Sequence, residues 1–154
     1  MVKPVIDLQN VSSEHDIPSQ MQFEQWSAAA LESQRDQAEC TIRIVEEAES
    51  ADLNQAYRGK LGPTNVLSFP FEQPEGLDEL LPLIGDLVIC APVVKREAQQ
   101  QGKTELAHWA HMVVHGTLHL IGYDHIEEHD AEQMESIERE VMARLGFDNP
   151  YEEE

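Results

Sequence analysis

The stretch Thr104-Glu105-Leu106-Ala107-His108-Trp109-Ala110-His111-Met112-Val113-Val114-His115-Gly116-Thr117-Leu118-His119-Leu120-Ile121-Gly122-Tyr123-Asp124-His125 decides how this chain folds. Thr104 suits a helix cap and Glu105 a first turn, so the pattern predicts the main helix from Leu106 to about Ile121, ended by Gly122. At 3.6 residues per turn, His108, His111, His115 and His119 fall on one face, because their spacings are three, four and four. Four imidazoles in a row make poor core material, since each ring carries two nitrogens that need partners. Six of the seven histidines lie between 108 and 129.

The spacing His115-x-x-x-His119-x-x-Gly122-x-x-His125 points to a metal. A pair four residues apart sets two rings over one point of the helix. Gly122 lets the chain double back, so His125 reaches the same point from outside. Three neutral imidazoles leave the fourth corner of a tetrahedron to water, which is the layout of a catalytic zinc. Nitrogen-only ligation also suits copper, iron or nickel, and not magnesium. His115, His119 and His125 are therefore the expected ligands of one Zn2+. The pattern matches the three-histidine metalloprotease helix except at Gly116, where those helices carry the glutamate base. Its loss tells against peptide hydrolysis. What remains is a metal that makes its water acidic, able to attack a phosphodiester if a cation meets the charge developing on the phosphate oxygens.

Outward from this helix, the chain mixes strands and helices without strict alternation. Residues 5–8 read as a short strand, and Ser19 caps a helix carrying Phe23, Trp26, Ala30 and Leu31. Residues 40–45 are β-branched, with Ile42 and Ile44 facing the core. Ser50 is read as the cap of a helix through Leu53, Ala56 and Tyr57, stopped by Gly59. Residues 65–69 form a strand closed by Pro70, residues 71–82 a surface loop, and residues 85–90 the most apolar strand. Pro92 opens a helix through Gln101. A last amphipathic helix from about Glu128 to Leu145 buries Met134, Ile137, Val141 and Leu145. With no repeat and no linker, the expectation is a single α+β domain over residues 1–154. One small mixed sheet packs with helices, and the central helix carries the metal site in a zincin-like arrangement.

Composition narrows the partners. Ten Lys+Arg against thirty Asp+Glu in 154 residues give a net charge of −20, which tells against DNA coating and anionic membrane surfaces. Cys40 and Cys90 cannot build a disulfide scaffold, and no run approaches the roughly 18 apolar residues of a membrane span. A reducing compartment, the cytoplasm, is expected. Acid gathers in residues 127–154, with eleven carboxylates, and in residues 72–86, with five. Residues 54–69 hold Arg58 and Lys60 and no acid, and five of the ten cationic side chains lie between 58 and 103. Either the acids form a solvated helix face and loop, or the cations form a local strip that grips phosphates.

Other residues read less sharply. Asp124 suits a hydrogen bond to a ligand histidine or a part in proton transfer, and equally a cap at the turn. His108 and His111 are read as cleft lining or core hydrogen bonding rather than ligands. His129 is read as exposed, Ser68 lacks a neighbouring base, and Cys90 is read as buried filler.

The run His115-Gly-Thr-Leu-His119-Leu-Ile-Gly-Tyr-Asp-His125 resembles the signature of the YbeY family, bacterial metal-dependent endoribonucleases of rRNA maturation. So do Leu53-Asn54 through Tyr57-Arg58-Gly59-Lys60, Pro63-Thr64-Asn65-Val66-Leu67-Ser68-Phe69-Pro70, and Gly85-Asp86-Leu87-Val88-Ile89. The resemblance spans about residues 40–147 and reaches more weakly to the first strand. Leu61-Gly62 departs from it, standing where relatives commonly carry polar residues. The resemblance implies a small mixed sheet packed with helices, zinc on His115, His119 and His125, and Arg58 as the functional arginine of the cleft. It implies cleavage of single-stranded RNA in 16S rRNA 3′-end maturation and ribosome quality control, with the small ribosomal subunit and its assembly factors as partners. Two alternatives stand beside it: a ribosome-assembly factor whose metal is structural, and a metallo-hydrolase of peptides or small esters.

Overall fold

The computed structural model describes residues 3–32, 34–76, 81–123 and 128–151. Among them run β1 (Val5–Asn10), α1 (Gln20–Leu31), β2 (Glu39–Val45), α2 (Glu47–Arg58), β3 (Val66–Pro70), β4 (Leu83–Cys90), α3 (Ala91–Gln101), α4 (Glu105–Leu120) and α5 (Glu128–Arg144). The four strands form one sheet in the order β1-β2-β4-β3. β1, β2 and β4 are parallel, and β3 runs antiparallel to β4. The sheet is therefore mixed, as expected.

Apolar residues on both faces explain why β4 reads as a nearly continuous apolar run rather than an alternating one. Ile42, Ile44, Leu87 and Ile89 are fully buried on one face, in a core shared with Phe23 and Trp26 of α1, Trp109 and Leu118 of α4, and Met134 of α5. Val45, Leu67, Val88 and Cys90 form the opposite core with Val93 of α3, and Leu53 of α2 packs against it. Each such aliphatic side chain contributes roughly 1.5–3 kcal/mol by leaving water. Ser19 caps α1 in a reciprocal box with Gln22, and Phe23 meets Trp109 edge to face at 6.0 Å. This contact holds α1 against α4.

Two elements differ from expectation. Ser50 does not cap α2, which starts a turn earlier behind Glu46. Ser50 is buried inside the helix; its hydroxyl donates to the Thr64 carbonyl at 2.9 Å and accepts from the Thr64 amide at 3.0 Å. Asn54 likewise donates to the Gly62 carbonyl at 2.9 Å. A serine that bonds a neighbouring backbone looks like a cap in sequence, but here its partner is the turn leading to β3. α2 ends as predicted, with Gly59 at φ 69° and Arg58 as its last residue. On α5 the buried residues are Met134, Glu138, Val141 and Met142, while Ile137 and Leu145 are only partly buried. The inward stripe thus takes in a glutamate.

α4 opens at Thr104, whose side chain accepts from the Ala107 amide. It comes close to the sheet at Gly116. A Cβ there would meet Leu87 Cδ2 at 2.7 Å and Val66 Cγ2 at 3.2 Å. The Gly116 carbonyl also accepts from the Ser68 hydroxyl at 3.1 Å. These contacts pin the turn carrying His115 and His119 to the edge strand β3. They also give a packing reason why position 116 carries no glutamate.

Candidate metal centre

The four histidines of α4 do form a row. Successive ring centroids lie 6.2, 6.1 and 4.7 Å apart from His108 through His111 and His115 to His119. Depth divides the row: His108 and His111 are buried, while His115 and His119 are partly exposed. As the sequence suggested, both buried rings are hydrogen-bonded. His108 Nε2 lies 2.8 Å from Glu97 on α3, and Glu97 also accepts from Asn65 at 3.0 Å. Burial pushes the Glu97 pKa up, but the bonds from His108 and Asn65 outweigh it and leave it lowered.

Glu138 was not foreseen as part of the site. It is fully buried, and its Oε1 lies 2.9 Å from both His111 Nε2 and His115 Nδ1. Tyr151 donates its hydroxyl to the other oxygen at 2.7 Å. Burial alone would raise the Glu138 pKa, but the bonds from His111 and His115 prevail and hold it at about 2. An ionised carboxylate only accepts, so the protons sit on His111 Nε2 and His115 Nδ1. The lone pair of neutral His115 is therefore on Nε2. Burial is also the main effect on His111 and lowers its pKa against the pull of Glu138. Its other nitrogen has no hydrogen-bond partner among the described residues, as suits a neutral ring. The sequence did hold a signal: position 138 follows Met134 by four and precedes Val141 by three, on the apolar stripe of α5.

A cleft of about 810 Å³ opens over this row. His115, His119, Arg58, Tyr57, Ser68 and Tyr123 are among its lining residues. Tyr57 packs on Phe69 of β3 with ring centroids 4.4 Å apart, which holds the end of α2 beside the strand. The fold thus brings the exposed Arg58 to the same cleft as the histidines, although 57 residues separate it from His115 in sequence. Of the wider cationic strip, only Arg58 and Lys103 line the cleft. Lys95 pairs with Glu14 at 2.7 Å and Arg96 with Glu47 at 2.8 Å, while Lys103 donates to the Pro150 carbonyl. Among the described residues Arg58 and Lys60 are in no salt bridge. His129 is exposed and Cys90 is buried, both as expected. Asp124 and His125 lie outside the described residues.

The donor set suits zinc. One atom each from His111, His115 and Glu138 lies within 4.8 Å of the others, a cluster sized for a divalent cation, and imidazole with carboxylate is zinc-compatible ligation. A mixed sheet packed with helices, with such a cluster formed by a His-x-x-x-His of the central helix and a glutamate of α5, defines a zincin-like α+β metal-binding protein. Over residues 7–146 the chain matches the family model described as Endoribonuclease YbeY, and it belongs to that family. Its fold is similar to the solution structure of TM1509 from Thermotoga maritima, with a TM-score of 0.57. The two are 22% identical, over 94% of this chain and 99% of that one.

Proposed function

We propose that this chain is a zinc-dependent endoribonuclease of rRNA processing. The observation that carries the reading is the family match over nearly the whole chain, joined to the histidine row of α4 with Glu138 of α5 packed behind it. His115, His119 and His125 are the proposed ligands, because their spacing converges three imidazoles and because Glu138 puts the lone pair of His115 on Nε2. A zinc ion bound there supplies Lewis acidity and an activated water. Arg58 serves as the phosphate clamp: its guanidinium at the cleft rim is positioned to take the charge that develops on the non-bridging oxygens. Asp124, next to the third ligand in sequence, orients a ligand histidine or passes a proton. Gly116 leaves the helix without the base that peptide hydrolysis uses.

The substrate is single-stranded RNA. A net charge of −20 disfavours indiscriminate binding to polyanions, while Arg58 and Lys103 line the partly exposed cleft, which admits an unpaired strand. The finer assignment is 3′-end maturation of 16S rRNA and ribosome quality control in the cytoplasm, with the small subunit and its assembly factors as partners. Among the described residues no helix is long and apolar enough to cross a membrane. Incubation of the purified protein with a single-stranded fragment of 16S rRNA tests the reading. Cleavage should stop with chelator and return with zinc, and a duplex of the same sequence should survive. Undiminished cleavage after complete metal removal, or none by fully zinc-loaded protein, would overturn it.

A further inference from the structure

We infer that Glu138 is a positioning residue for the metal centre rather than one of its ligands, and that Tyr151 supports it from the segment after α5. The inference rests on the reading of His115 as a ligand. Glu138 accepts from three donors, namely His111 Nε2, His115 Nδ1 and the Tyr151 hydroxyl, at 2.9, 2.9 and 2.7 Å. Binding a cation through Oε1 would mean giving up a histidine bond inside a fully buried pocket, at a cost to the donor released there. Left as it is, it does what a carboxylate behind a metal-bound imidazole does. It fixes the tautomer, locks the ring orientation and makes the opposite nitrogen a better donor.

Tyr151 is the outer support of this arrangement. The chain returns over the site after α5, held where Lys103 Nζ donates to the Pro150 carbonyl at 2.8 Å and the Tyr151 amide to Asn149 Oδ1 at 2.9 Å. The Tyr151 ring meets His111 edge-on, with centroids 5.2 Å apart, and is partly open to solvent. Its hydroxyl occupies the Glu138 oxygen that the histidines leave open. The last described residue of the chain thereby supports the orientation of His115 through a single carboxylate.

The full-length chain and its Glu138→Gln and Tyr151→Phe variants test this. Zn2+ affinity is read by competition with a chromophoric chelator, and site geometry from the absorption bands of Co2+ bound in place of zinc. Glu138→Gln should still take up one Zn2+, but about 10–100-fold more weakly and with shifted Co2+ bands. Tyr151→Phe keeps the ring and removes the hydroxyl's bond to Glu138 together with its 3.3 Å contact with His111 Nε2. It should weaken Zn2+ by a smaller factor and shift the bands in the same direction, with the thermal unfolding of the metal-free protein little changed. Complete loss of Zn2+ binding in a folded Glu138→Gln would make Glu138 a ligand and overturn the inference. Unchanged affinity and spectrum in Glu138→Gln would overturn it as well, and in Tyr151→Phe would remove Tyr151 from it. Should Glu138→Gln fail to fold, Tyr151→Phe decides the question by the same two readings. Wild-type Zn2+ affinity in His115→Ala would instead defeat the underlying ligand reading, and the inference with it.

Discussion

His108 and His111 lie beneath the surface, each held against a carboxylate, whereas His115 and His119, one to three turns further along the same helix, keep an edge open to the cleft. Residue type and spacing are the same in both halves. What separates them is the packing outside α4: α3 lays Glu97 against His108, and α5 lays Glu138 against His111 and one nitrogen of His115. Depth thus divides the histidine row, and on the proposed reading the outer half holds the metal. The deeper rings are hydrogen-bonded to acidic side chains of α3 and α5, and the outer two line the cleft.

Alanine substitutions should separate the halves most strongly. His119→Ala should lose stoichiometric zinc and cut RNA cleavage by orders of magnitude while the chain stays folded. His108→Ala should keep its zinc and lose about 1–3 kcal/mol of stability in urea unfolding, because Glu97 loses a buried partner. If His108→Ala also loses its metal, the division by depth fails. Arg58→Ala comes next. Cleavage should fall roughly 10²–10³-fold, the size expected for losing one donor to a developing oxyanion, with zinc content and thermal stability unchanged. Retained turnover would reduce Arg58 to a helix-end cation.

The smallest expected effect is acid sensitivity. The folded pKa of Glu138, about 2, lies below the ordinary carboxylate value of 4.5. Between these values the unfolded chain binds the extra proton, so stability is fully present above about pH 4.5 and is lost as pH falls toward 2. Thermal melts of metal-free protein across that window should show this loss, with a shallower slope in Glu138→Gln. Parallel curves for the two proteins would show that the buried carboxylate is not what resists acid.

Much of the architecture was legible because local rules and tertiary packing agree. Ser19 and Thr104 cap where their helices start, Gly59 ends α2, and Ile42 and Ile44 point into the core. Ser50 misled because its hydroxyl serves a turn fourteen residues away, which a local pattern cannot distinguish from a cap. The histidine row and Arg58 could be chosen as chemistry-bearing residues, yet only the fold brings them to one cleft. Glu138 was hidden in an acidic helix where most carboxylates face water, and its role depends on α5 packing against α4. The cationic strip was thinned for a similar reason: the partners of Lys95 and Arg96, Glu14 and Glu47, come from distant parts of the chain.

The central claim is that zinc sits on the outer half of the row and the buried carboxylate stands behind it. Anomalous diffraction at the zinc edge from zinc-loaded crystals tests this most directly. The account predicts a single peak about 2.0–2.1 Å from Nε2 of His115 and from a nitrogen of His119 and of His125, with Glu138 still bonded to His115 Nδ1. A peak bonded to Glu138 and His111 instead would contradict it.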